Sequence, residues 1–146
     1  MGDRSWQMRL EAEYQGDQNA VTALRVERLV DDSGWQPFDL TVRTPGFVTF
    51  LYALFTCQHQ YMHLNAAERG LVLAASRGTM LVVASEGWML QRLAIAFEAD
   101  LLSGTVEPDA VDYICQRMQN CPVSRNIRPL AEHESLVSFI PVAPQA

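Results

Sequence analysis

The chain has 146 residues and a mass of 16.4 kDa, and 49 % of its residues are hydrophobic. That is the size of one domain, with enough apolar side chains to build a core without disulfide or metal staples. Seventeen acidic residues against eleven basic ones, all arginine, give a formal charge of −6 and a pI near 4.9, which excludes the basic surface that recruits nucleic acid or an anionic membrane.

Residues Trp6, Met8, Leu10, Ala12 and Tyr14 alternate with Gln7, Arg9, Glu11 and Glu13, the period of a half-buried strand. Gly16-Asp17-Gln18-Asn19 supplies turn chemistry, and Ala20 to Val30 reads as the returning strand. A second turn at Asp31-Asp32-Ser33-Gly34 leads to a third expected strand, Pro37 to Arg43, in which Phe38, Leu40 and Val42 alternate. After Thr44-Pro45-Gly46 the period of two disappears. Phe47 to Arg69 is apolar at nearly every position up to Cys57 and stops at Gly70, as expected of a central buried helix. Gln58, His59, Gln60 and His63 interrupt the run, which speaks against a membrane span.

Gly70 to Ser76, Thr79 to Ser85 and Leu90 to Leu101 read as strands. Glu107-Pro108-Asp109 is a helix start, with proline in the first turn and acids at the positive end of the dipole. That helix is expected to reach Asn120, with Val111, Ile114, Cys115 and Met118 on one face. A short helical piece to Leu130 and a last strand from Leu136 to Val142 follow. The order β-β-β-α-β-β-α-β is an α+β pattern, read as a single domain over residues 1–146. No apolar leader segment follows Met1, and Gly2 is followed at the sixth position by Trp6 rather than Ser or Thr, so a cytoplasmic, reducing location is expected.

Three cysteines cannot all pair within one chain. Cys57 sits in the apolar helix and Cys121 in Asn120-Cys121-Pro122-Val123-Ser124, 64 residues later, a separation that fits neither a CxxC motif nor a zinc knuckle. Two thiols on separate helices, one before proline at a helix boundary, suggest a peroxidatic and a resolving cysteine brought together by the fold. Taken singly, Cys57 reads as a small buried hydrophobe; the motif around Cys121 changes that reading. Cys115 lies on an apolar helix face without a motif and is assigned to core packing. His59 and His63 are four apart, but Gln60 stands where a metalloprotease helix has glutamate, and no third ligand follows. No metal or cofactor is therefore expected, and a solvent-facing or interface role is assigned to the two histidines.

On these residues the chain resembles the OsmC/Ohr family of bacterial thiol peroxidases. Glu13 to Asp17 resembles the family's aromatic-x-Gly-Asp end of the first strand, and Gln36 to Arg43 the strand before the central helix. Ala53-Leu54-Phe55-Thr56-Cys57 falls where the family carries the run ending in its reactive cysteine, and Cys121-Pro122-Val123-Ser124 matches the second-cysteine motif letter for letter. The resemblance implies a bent antiparallel sheet packed on two main helices, completed as an intertwined homodimer. It also implies reduction of organic hydroperoxides, with Cys57 peroxidatic, Cys121 resolving and Arg43 activating. Arg25 and Arg28 are reserve cations, and the implied reductant is a lipoyl dithiol or small thiol.

One departure is marked. The family's loop before the helix ends in a glutamate ten residues before the cysteine; here position 47 is Phe47, and no acid occurs between Asp39 and Glu68. That departure supports an alternative, a diverged member without strong peroxidase activity that binds a small molecule or senses redox state.

Overall fold

Alternation at the start of the chain becomes a long hairpin, β1 (Arg4–Gln15) and β2 (Ala20–Val30), in a computed structural model that describes residues 2–127 and 132–143. Gly16 and Asn19 take the positive φ angles of the connecting turn, 79° and 52°. After β3 (Gly34–Pro37) come helix α1 (Gly46–Glu68), strands β4 (Val72–Ala84) and β5 (Leu90–Ser103), helix α2 (Ala110–Gln119), a 3-10 turn (Ser124–Ile127) and β6 (Glu132–Pro141). The six strands form one sheet in the order β3-β2-β1-β4-β5-β6. Both helices cover the face that carries Met8, Leu10, Leu73, Met80, Val82, Ile95 and Phe97, and this layer is the core.

The antiparallel expectation holds from β3 through β5, whereas β6 joins β5 in parallel. Parallel neighbours need a long crossover, and α2 provides it. The expected break between Gly70–Ser76 and Thr79–Ser85 does not occur: β4 runs through Gly78 as one strand. Glycine in mid-strand normally signals interruption, but Gly78 pairs with Phe97, whose ring fills the space a side chain would take. Phe55 of α1 stacks on that ring with centroids 5.8 Å apart. Here the glycine is an axle on which the helix meets the sheet.

The third strand also differs from expectation. It covers Gly34–Pro37 instead of Pro37 to Arg43. The Phe38 N–H makes one more bond to Val26 O at 2.8 Å, and its ring turns inward onto Tyr52, centroids 5.4 Å apart. Threonine chemistry then ends the strand, because Thr44 Oγ1 accepts from the Thr41 N–H and Thr41 Oγ1 from the Arg43 N–H. Leu40 and Val42 are left exposed, Val42 fully so. The C-terminal end of the expected helical piece, up to Leu130, lies outside the described residues.

A Cβ at Gly78 would collide with the Phe97 ring at Cε1. We expect Gly78→Ala to lower unfolding free energy by about 1–3 kcal/mol through overpacking, read as a lower urea midpoint with unchanged m. A midpoint equal to that of the parent would show that the Phe55–Phe97 stack yields freely.

Candidate thiol site

Cys57 lies in the fourth turn of α1, on a stripe with Ala53, Gln60 and Leu64 that faces away from the sheet, and the residue is partly buried. Cys121 is buried where α2 ends. The chain turns there because Pro122 cannot continue the helix. The turn is closed by the Arg125 N–H on Cys121 O at 2.9 Å and by the Ser124 N–H on Cys121 Sγ at 3.4 Å. This turn brings Cys121 close enough to Cys57 to act on its ionisation. Burial and the neighbouring Cys121 push the Cys57 thiol up to about 11, while the backbone N–H of Val123 pulls the other way. Among the described residues no arginine is one of the groups that set this value.

Gln58, the next residue on α1, is completely buried, and every polar atom of its amide is engaged. Nε2 donates to Ser124 Oγ at 2.9 Å and faces His133 Nε2 at 3.0 Å, while Oε1 accepts from Ser135 Oγ at 2.6 Å. Since Nε2 is a donor, His133 Nε2 accepts and the imidazole carries its proton on Nδ1. Burial depresses the His133 pKa, in keeping with a neutral ring. Ser124 closes the motif around Cys121, whereas Gln58, Ser135 and His133 had no motif to mark them in the sequence. The only available signal was a glutamine in the middle of an otherwise apolar helix.

His59 and His63 are buried against the sheet, which corrects the solvent-facing assignment. The Tyr14 hydroxyl bridges His59 Nε2 at 2.7 Å and Ser76 Oγ at 2.6 Å. The His63 ring lies 4.9 Å from that of His59, and its Nδ1 is buried without a partner. Burial first, and then its neighbour His63, pushes His59 down to about 3; burial also lowers His63 and raises Tyr14 to about 12. The group is thus a neutral hydrogen-bonded cluster. Among the described residues no three His, Cys, Asp or Glu side chains converge as metal ligands.

Arg43 sits in the exposed turn ahead of α1 and lines a 270 Å3 surface depression with Arg28, Phe38, Asp39 and Pro45. Cys57 is eleven residues into the helix from Gly46, about 16 Å along its axis. Within the chain, then, the fold brings Cys121 to Cys57, and no bond or ring contact ties Arg43 to either among the described residues. Arg25 is engaged with Glu11 at 2.8 Å, and Arg28 lies over the Phe38 ring. Cys115 is half-buried against the backbone of Val137 in β6. Among the described residues no helix is long and apolar enough to cross a membrane.

The arrangement of sheet and helices is that of OsmC-like proteins. An OsmC-like protein from Mycoplasma pneumoniae superposes over 80 % of this chain and 89 % of its own, with a TM-score of 0.54 at 12 % identity. An OsmC-like hydroperoxide resistance protein from Jannaschia sp. CCS1 covers 85 % and 87 % at 12 % identity, TM-score 0.49. An osmotic stress induced and detoxification response protein from Psychrobacter arcticus 273-4 covers 90 % and 93 % at 15 % identity, TM-score 0.49. No protein-family model matches the sequence. No curated protein matches it either.

The neutral histidines have a consequence for stability. His59 holds a folded pKa of about 3 against an ordinary 6.5, so between those values the unfolded chain binds more protons and stability rises with pH. The contribution is complete above pH 6.5 and falls away on acidification, costing about 2 kcal/mol by pH 5. Urea midpoints from pH 7.5 to 5 should show this decline, and His59→Gln should flatten it. A parent protein equally stable at pH 7 and pH 5 would contradict the assignment.

Proposed function

We propose that this chain is a cysteine-based thiol peroxidase that reduces organic hydroperoxides, with Cys57 peroxidatic and Cys121 resolving. The Cys57 thiolate attacks one oxygen of the peroxide; the O–O bond breaks, releasing an alcohol and leaving a sulfenic acid on Cys57. The Cys121 thiol condenses with that sulfenic acid, forming the disulfide and expelling water. A dithiol reductant, lipoyl or small, returns both cysteines to the thiol. The observation that carries this reading is the turn that sets Cys121 beside Cys57, a residue only partly buried.

A pKa of about 11 leaves roughly one Cys57 in ten thousand as thiolate at pH 7, so the first step needs a cation. Arg43 is the proposed donor of that charge, acting across a homodimer interface, since no described arginine of the same chain is among the groups that act on Cys57. Val21 and Leu24 of β2 and Leu64 of α1, each 40–47 % exposed, continue the core face and the helix stripe outwards and are the surfaces such a dimer would cover. The same high pKa, with Phe47 in place of an acid, favours a second reading: a redox-sensing or small-molecule-binding protein whose cysteines react slowly.

Stoichiometric cumene hydroperoxide should remove two hydrogens from the reduced protein, mapped to a Cys57–Cys121 bond. Cys57→Ser should abolish peroxide consumption, Cys121→Ser should leave a sulfenic acid that dimedone traps, and Cys115→Ser should behave as the parent. Equal loss in Cys57→Ser and Cys115→Ser would overturn the assignment. Thiols untouched at that dose would favour the second reading. Arg43→Ala should slow the first step by about tenfold or more if the arginine supplies the activating charge.

A further inference from the structure

We propose that Gln58 is a positioning residue that holds the resolving cysteine in place to close the disulfide. Its amide is a three-way latch. It reaches from α1 to Ser124 in the turn after Cys121 and to Ser135 and His133 on β6, with contacts of 2.9, 2.6 and 3.0 Å. Ser124 is gripped twice, by Gln58 through its hydroxyl and by Cys121 Sγ through its own N–H at 3.4 Å. The amide that fixes Ser124 therefore fixes the Cys121 sulfur, and it does so from the residue adjacent to Cys57 in the helix.

Burial makes this latch selective for one geometry. A wholly buried amide that loses a partner forfeits its hydrogen bond with no water to replace it. Displacing the turn from α1 would strand Gln58 Nε2 and Ser124 Oγ together. The turn has few other holds on the helix, since Pro122 donates no hydrogen bond and Val123 contributes its N–H near the Cys57 sulfur. With the latch closed, the resolving thiol waits beside Cys57. Without it, the turn keeps its internal hydrogen bonds, the Val123 N–H at Cys57 and the packing of Val123 and Ile127 on the core, and the effective concentration of Cys121 at Cys57 falls.

The role in resolving a sulfenic acid rests on the function proposed above, but the latch itself is measurable without any peroxide. In glutathione redox buffers, the equilibrium between the Cys57–Cys121 dithiol and its disulfide reports the effective concentration of one thiol at the other. Gln58→Leu and Ser124→Ala should each lower it by about tenfold, and the double variant should be no worse than the more affected single, because both remove the same bond. Ser135→Ala, which frees only the far end of the amide, should give a smaller drop. Urea midpoints of the reduced proteins separate this from a general loss of packing, since a merely structural glutamine would shift the midpoint and leave the effective concentration within twofold of the parent. That result in Gln58→Leu, or in Ser124→Ala should the first variant not fold, overturns the proposal. In the same variants, dimedone-trappable sulfenic acid should persist about tenfold longer after cumene hydroperoxide. A fall in effective concentration with no sulfenic acid in any form would retain the latch and reject the peroxidase reading.

Discussion

Helix α1 places four polar side chains, Gln58, His59, His63 and Asn65, inside the protein, and the hydrogen bonds made to three of them and to the His63 carbonyl tie the helix to the elements around it. Gln58 draws in the Cys121 turn and β6. His59 takes the Tyr14 hydroxyl from β1 and, through it, Ser76 of β4. Asn65 accepts from Arg117 of α2 at 3.1 Å. The His63 carbonyl accepts from Asn19, which also binds the Leu71 carbonyl and the Leu73 N–H, and so ties the β1–β2 turn to the helix end and the start of β4. Apolar packing alone would hold the helix on the sheet in many rotations; these bonds admit one.

That single rotation decides the chemistry available. It turns the histidines towards the sheet, where desolvation keeps them neutral, and it leaves the neighbouring Cys57 on the outer stripe beside Cys121. Among the described residues, the groups that act on the Cys57 thiol are neutral: the Cys121 thiol and the backbone N–H of Val123. A thiol in such a place is well placed for disulfide exchange with its neighbour and poorly ionised for attack on a peroxide. Bringing the two sulfurs together and activating one of them are separate problems, and the net effect of the groups around Cys57 is to hold its thiol protonated.

Much of the fold is legible in the sequence because its elements carry strong periods. β1 and β2 alternate, α1 is apolar on nearly every side, and α2 has a proline and acids at its start. The errors come where a local signal has a distant partner. Gly78 signals a break, and Phe97 from the next strand removes it. Phe38, Leu40 and Val42 alternate like a strand, yet the threonine turn and the inward pull of Tyr52 end pairing at Pro37. The histidine pair, four apart and interrupting an apolar run, gave no indication of which way it faced, because that depends on Tyr14, some forty-five residues earlier.

By itself the sequence determined the α+β order of elements, the apolar character of α1 and the identity of the two cysteines worth pairing, since periodicity, turn residues and a short motif are properties of neighbouring residues. Tertiary structure alone decided that Cys57 and Cys121 meet, that no bond or ring contact ties Arg43 to either among the described residues, and that Gln58, Ser124, Ser135 and His133 form a closed network around the second thiol. The physical reason is that a hydrogen bond or a pKa shift depends on distance and burial, which chain order does not encode when the partners lie 64 to 77 residues apart.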